Sequence, residues 1–149
     1  MPHFSLSVWI DAPVEKVWRF HERDDIFELL SPPRGKPNVL SRQGKLETGA
    51  KVEFAVPLGP FQIQWLALHV DHEDNHYFVD QQVHGPFHSW KHWHLFEPEN
   101  GGTRLTDRIE FLLPLSPLSD AVAGWAVKLQ LRAMFRHRHK VTKELCEQP

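Results

Sequence analysis

Phe4, Leu6, Val8 and Ile10 alternate with His3, Ser5, Ser7 and Trp9, so the start of the chain predicts a strand with one buried face. Asp11-Ala12-Pro13 then predicts the opening of a helix, with Pro13 at its first position and Glu15 in the first turn, where the helix dipole favours an anion. Val14, Val17, Trp18 and His21 share one face of it. Asp24-Asp25 caps a second, short helix through Leu30, and Ser31-Pro32-Pro33 ends that helix because proline restricts the residue before it. The middle of the chain predicts six strands: Val39 to Gln43, Ala50 to Pro57, Phe61 to His72, Tyr77 to Val83, Phe87 to Phe96 and Thr103 to Leu113. Turn signals separate them, among them Glu47-Thr48-Gly49, Leu58-Gly59-Pro60, Asp74-Asn75, His84-Gly85-Pro86 and Asn100-Gly101-Gly102. Such short gaps imply hairpins, hence an antiparallel meander.

Beyond Ser116-Pro117, which supplies an N-cap and a first-turn proline, the period changes. Leu118, Val122, Trp125, Leu129, Arg132 and Phe135 or Arg136 keep helical spacing. They predict one helix of about 28 residues, on the order of 40 Å long at 1.5 Å per residue. The order is therefore strand, two short helices, six strands and a long helix, an α+β arrangement in a single domain over residues 1–149 with no linker or repeat. A seven-stranded sheet with one apolar face needs a cover, and the closing amphipathic helix is the expected one. A sheet of that width coils around its helix, and strong curvature leaves an internal cavity for a small, largely apolar ligand.

Polar residues interrupt the face the sheet is expected to bury. Leu105, Ile109, Phe111 and Leu113 share a side opposite Arg104, Thr106, Arg108 and Glu110, which puts Asp107 on the apolar side. On the preceding strand Lys91 marks the outer face, so Trp90, His92, His94 and Phe96 point inward. Phe78, Asp80 and Gln82 lie together on the strand before that, but alternation does not decide their side. An unpaired buried polar group costs about 1–3 kcal/mol, so His92 or His94 is expected to pair with Asp107. Three roles fit: a structural pair holding two strands in register, polar handles on an apolar cavity wall, or a metal site from His92-x-His94 and a carboxylate. No local motif specifies a third ligand, and neither a metal nor a cofactor is expected. Arg132, Arg136, Lys140 and Lys128, with His137 and His139 alongside, read as a solvated helix face whose cations suit a helix C-terminus, with an anionic-headgroup contact as the alternative.

Charge narrows the classes. Lys plus Arg total 17 and Asp plus Glu 19, a near-neutral balance without the basic excess of a nucleic-acid binder. The single cysteine, Cys146, rules out an internal disulfide and reads as an incidental surface thiol in a cytoplasmic chain. The first residues lack the pattern of a signal peptide, no run approaches the length of a membrane span, and no stable membrane insertion is expected. Six Trp and ten Phe against one Tyr supply large apolar surfaces.

Three stretches together resemble the helix-grip superfamily of START lipid-transfer domains, plant pathogenesis-related allergens and bacterial polyketide cyclases and dehydrases. They are Ile10-Asp11-Ala12-Pro13-Val14-Glu15-Lys16-Val17-Trp18, then Phe78-x-Asp80-x-Gln82-x-x-Gly85-Pro86-Phe87-x-x-Trp90-x-His92-x-His94-x-Phe96, then Gly102-Thr103-x-Leu105-x-Asp107. The likeness covers essentially the whole chain and is strongest to the small bacterial cyclase/dehydrase-like ligand-binding proteins. It implies a helix-grip fold with a ligand cavity, and no single activity, because such folds host many. The superfamily's oxygenase branch carries a Rieske cluster, which one cysteine excludes here. Two functions follow. In a binding protein, Trp65, Phe78, Trp90, Phe96 and Phe111 would wall the pocket, with Asp80, Gln82, His92, His94 and Asp107 orienting a lipid, polyketide or quinone-like ligand. In a cyclase, dehydratase or isomerase, His92 or His94 would move a proton beside a carbonyl, oriented by Asp107. No nucleophile, oxyanion device or phosphate loop is recognisable, which favours binding.

Overall fold

The computed structural model describes residues 2–33, 36–58 and 60–149; Gly59, inside one expected turn, lies outside them. Strand β1 (His3–Ile10) leads into helices α1 (Val14–His21) and α2 (Ile26–Leu30). Strands β2 (Asn38–Gln43), β3 (Lys51–Leu58), β4 (Phe61–Glu73), β5 (Tyr77–His84), β6 (Ser89–Glu99) and β7 (Gly102–Leu112) follow, and helix α3 (Leu118–Cys146) closes the chain. The strands form one antiparallel sheet in the order β1-β7-β6-β5-β4-β3-β2. Register shifts on β4 at Leu66/Ala67 and His69/Asp71, and on β2 at Val39/Ser41, interrupt the ladders in the β2 half of the sheet. Among the described residues no helix is long and apolar enough to cross a membrane.

Local chemistry fixes the tightest turn. Asn100 and Gly101 between β6 and β7 both have positive φ, 49° and 79°, as a two-residue hairpin requires. Gly102 tolerates no side chain, because a Cβ there would stand 2.3 Å from the Ile10 carbonyl oxygen and against the Trp9 ring. The expected helix caps are absent. Asp25 pairs with Arg23 instead of capping α2, and Asp120 accepts from the Leu113 N–H at 3.0 Å and from the Ser116 hydroxyl, so Ser116 does not cap α3.

Two apolar clusters share the concave side of the sheet. One joins α1 and α2 to the strands through Ile10, Val17, Trp18, Phe78, Phe96 and Leu105. The other joins Phe4, Trp90, Ile109 and Phe111 to Leu131 and Phe135 of α3. Along β7, Asp107 falls between Leu105 of the first cluster and Ile109 of the second; along β6, His92 and His94 fall between Phe96 and Trp90. The boundary between two cores is thus a seam of ionisable groups.

Helix α3 has the expected length, 29 residues, but turns a different face to the protein. Leu118, Val122, Trp125 and Leu129 are 73%, 68%, 65% and 59% exposed. The buried row is Leu131, Phe135, His139, Thr142 and Cys146, centred about 110° further round the helix at 100° per residue. The physical reason is that α3 packs on β1, α1 and α2, so its second half meets the core while the leucine and tryptophan row of its first half faces outward. This rotation also corrects two expectations from the sequence. Cys146 is buried, not a surface thiol, and burial pushes its pKa up to about 11. His139 leaves the solvated basic face and enters the seam.

Candidate functional site

Strand register assembles the seam. Asp80 on β5 lies opposite His92 on β6, and His94 on β6 lies opposite Asp107 on β7, so each ladder sets one carboxylate against one imidazole. Asp107 is the hub. His92 donates its Nε2–H to Asp107 Oδ1 at 2.7 Å, and His139 donates its Nε2–H to Oδ2 at 2.6 Å. His94 Nδ1 stands 3.2 Å from the same Oδ1, while His94 Nε2–H donates to Asp80 Oδ2 at 2.7 Å. His92 Nδ1 is 3.8 Å from that Asp80 oxygen. His92, His94, Asp107 and His139 are buried and Asp80 nearly so. Asp80, His92 and His94 each bring a potential metal-ligating atom within 4.8 Å of the other two.

Ring stacking holds these imidazoles in place. His69, Phe78, His94 and His92 form a column across β4, β5 and β6, with centroid separations of 5.4, 3.8 and 3.6 Å. His94 is therefore sandwiched flat between Phe78 and His92, its two nitrogens left facing two carboxylates. Trp18 closes the column from α1, edge-on to Phe78 and Phe96 at 5.8 and 5.1 Å.

Electrostatics separate the two strand histidines. Burial works to lower the pKa of His94, but its contacts with Asp107 and Asp80 outweigh this and raise it above the ordinary histidine value. Burial and the neighbouring His94 charge lower that of His92, against the opposing pull of Asp107. For Asp107 burial is likewise outweighed, by hydrogen bonds from His139, His92 and His94, which hold its carboxyl well below the usual carboxylate range. Asp80 is depressed for the same reason, with His94 as its main partner. The arrangement suits one proton held on His94 between two ionised carboxylates.

The expected aromatic site residues divide between the two apolar clusters. Phe96 and Phe111, expected as cavity wall, are 1% and 0% exposed. Phe78 and Phe96 pack in the α1 cluster, whereas Trp90 and Phe111 pack in the α3 cluster, Trp90 lying 5.0 Å from Trp65 and 4.8 Å from Phe87. Gln82 turns its amide to the backbone of Phe87, accepting from its N–H at 3.2 Å and donating to its carbonyl at 2.8 Å, and so fixes the β5–β6 loop. Two open grooves flank α3. One, about 370 Å³, is lined by Leu6, Ser7, Val8, Arg136, His139, Lys140 and Lys143. The other, about 260 Å³, lies between α1 and the end of α3.

Sequence reading missed three buried histidines as site members. His139 hides in an Arg-His-Arg-His-Lys run, and only its spacing from Phe135 and Cys146 marks it as inward. His69 shares the period-two row of Trp65 and Ala67 on β4 and bonds the Leu46 carbonyl through Nδ1 at 3.0 Å. His21 follows Val17 by one helical turn and gives its Nδ1–H to the Val17 carbonyl at 2.8 Å.

Comparison with known proteins agrees with this architecture. The Thermus thermophilus protein TTHA0849 is similar over 95% of this chain and 97% of its own, with a TM-score of 0.71 at 16% identity. The di-domain ARO/CYC StfQ of the steffimycin biosynthetic pathway gives a TM-score of 0.77 at 13% identity, over 98% of this chain and 50% of that one. Ara h 8.0201 gives 0.65 at 14% identity, over 94% and 96%. At these identities the likeness is one of fold. No curated protein sequence matches the chain. The model of the family described as polyketide cyclase / dehydrase and lipid transport matches residues 10–136, and the fold is the helix-grip fold of a curved seven-stranded sheet with a long C-terminal helix. The chain belongs to the polyketide cyclase / dehydrase and lipid transport family.

Proposed function

We propose that this protein binds a small, largely apolar or aromatic molecule at the open end of its concave face. One observation carries the reading: the aromatic lining is completed at the seam but left half-covered toward the free edge. Phe54 and Trp65 stack at 5.7 Å across β3 and β4, Phe27 and Phe87 flank them, and all four remain partly exposed. Phe61, in the same period-two row as Trp65, is largely exposed. Such a surface, apolar with a few polar groups at one end, is what small-molecule sites present. The family's cyclase and lipid-transport description supports a lipid, polyketide or quinone-like occupant. In this reading the partner is the small molecule itself, in a cytoplasmic setting, with neither nucleic acid nor stable membrane insertion involved.

Titration with 2-naphthol, followed by quenching of tryptophan fluorescence, tests the site. The natural chain is expected to saturate, and Trp65→Ala to weaken binding about tenfold, or roughly 1.4 kcal/mol, while the exposed Val83→Ala leaves it unchanged. Failure of the natural chain to saturate, or equal affinity in Trp65→Ala, would overturn the assignment.

A second reading, acid–base catalysis of the cyclase, dehydratase or isomerase kind, has its own support. His92 and His94 share Asp107 yet have pKa values displaced in opposite directions, as a base and an acid would need. If it holds, a bound cyclic ketone will exchange its α-hydrogens with deuterated solvent, and His94→Gln will stop the exchange without weakening binding. Exchange at the solution rate rules it out.

A further inference from the structure

We propose that Asp80, His92 and His94 form a binding site for one divalent transition-metal ion of the zinc class. Asp80 Oδ2 lies 2.7 Å from His94 Nε2 and 3.8 Å from His92 Nδ1. Ligands about 2.0–2.1 Å from a tetrahedral ion stand roughly 3.3–3.4 Å apart, between those two separations. Shifts of about half an ångström in the side chains would equalise them.

The outer shell is the second observation. A metal-bound histidine almost always gives its other ring N–H to a carboxylate or carbonyl, which fixes the tautomer and orients the ring. Here both histidines turn their other nitrogen to one oxygen, Asp107 Oδ1, His92 Nε2 at 2.7 Å and His94 Nδ1 at 3.2 Å. Asp107 is itself held by His139 through its second oxygen at 2.6 Å. The Nε2–H that His94 gives to Asp80 is the proton an ion would displace, after which His92 Nδ1 and His94 Nε2 present lone pairs beside the Asp80 carboxylate. A cation among these three atoms, which lie within 4.8 Å of one another, would be held by all of them. A proton on His94 supplies one and satisfies the Asp80–His94 contact, but it leaves His92 Nδ1 with the 3.8 Å separation. A divalent ion satisfies all three atoms together.

The donor set also selects the ion. Two imidazoles and one carboxylate suit zinc, cobalt, iron or nickel over magnesium and calcium, which prefer all-oxygen shells. Three protein ligands leave a fourth position open, as in sites that act on a bound molecule rather than closed structural sites. Phe78 stacks on His94, Trp90 stands edge-on to His92, and both imidazoles are buried.

The test uses the full chain, stripped with a chelator and titrated with Co²⁺ and then Zn²⁺. The expected result is one equivalent of Co²⁺ giving a strong visible absorption of tetrahedral type, abolished by one equivalent of Zn²⁺. Asp80→Asn, nearly isosteric, is expected to lose more than a hundredfold in affinity, and Asp107→Asn about ten- to a hundredfold, the usual cost of a lost outer-shell partner. A double His72→Ala, His76→Ala variant removes the exposed histidines of the β4–β5 hairpin and is expected to bind normally. Near-ultraviolet circular dichroism confirms that each variant is folded. If a variant does not fold, the natural chain decides alone: no saturable Co²⁺ band overturns the site. So does a band that survives in folded Asp80→Asn or disappears in the His72, His76 variant.

Discussion

Replacing Asp107 with alanine is expected to destabilise the protein by about 3–5 kcal/mol, the range for breaking a buried ionic cluster from one side. Three imidazoles converge on this carboxylate, and each donates or presents a nitrogen to it at 2.6–3.2 Å. Its removal leaves His139 and His92 without their acceptor and His94 with only Asp80. None of these groups can turn to water, because burial on β6 and α3 fixes them. A loss of this size is a large fraction of the roughly 5–15 kcal/mol available to an ordinary domain. It is read as a fall in the urea midpoint at constant slope. Asp107→Asn keeps one acceptor and should fall between the two. A change below about 1 kcal/mol in Asp107→Ala would mean that the seam is wetted and contributes little. Substituting leucine at both His94 and Asp107 is expected to recover part of the loss, since apolar replacements often match a buried ionic group.

Acidification is expected to remove about 3 kcal/mol of stability through His21 alone. Its imidazole sits under α1 among Phe20, Phe78 and Phe96, and burial lowers its pKa from 6.5 to about 4. The Val17 carbonyl that it bonds opposes this only in part, and the charges facing it from other elements are His94 on β6, Asp107 on β7 and Arg138 on α3. The unfolded chain binds a proton below pH 6.5 that the native state refuses until about pH 4. Stability therefore falls as pH falls through that window, by up to about 1.4 kcal/mol per unit, and this group contributes no change above it. His92, also depressed, adds a change of the same sign, and His94, raised, one of opposite sign. Urea unfolding at pH 7, 6, 5 and 4.5 should show the slope in the natural chain and a flatter one in His21→Leu. Equal slopes would show that His21 is not the acid-sensitive group.

Much of this was readable before any coordinates, for reasons specific to each element. On β6 and β7 one solvent-facing charge row per strand, Lys91 in one and Arg104, Arg108 and Glu110 in the other, forces the opposite row inward, so His92, His94 and Asp107 could be placed and paired. On β5 the same logic is silent, because Val79 on the outer face is as buried as Phe78 on the inner one. Asp80 was a candidate whose side only the sheet order determines. The buried face of α3 is not legible in its sequence, because the helix carries two apolar rows and periodicity cannot say which one meets the sheet. His139 shares the buried row but is surrounded in sequence by Arg136, His137, Arg138 and Lys140, and composition pointed outward. The packing of the aromatic rings is illegible for a different reason. Curvature follows from strand number and bulges, whereas the space left within it depends on how Trp90, Phe87, Phe111 and Trp65 interlock, which no one-dimensional pattern encodes.

The alternation of acid and base across β5, β6 and β7 also bears on how the chain avoids misfolding. A slip of one residue between β6 and β7 would turn Asp107 out of the interior and carry Arg108 or Thr106 into it. A slip of two residues in one direction would face Asp107 with Phe96 and leave it one imidazole on β6 in place of two; in the other it would set Leu105 against His94. Such penalties apply before the loops or α3 are in place. Three long hairpin strands rich in Trp, Phe and Val could otherwise pair in several near-equivalent ways, and the buried charges single out one alignment of them.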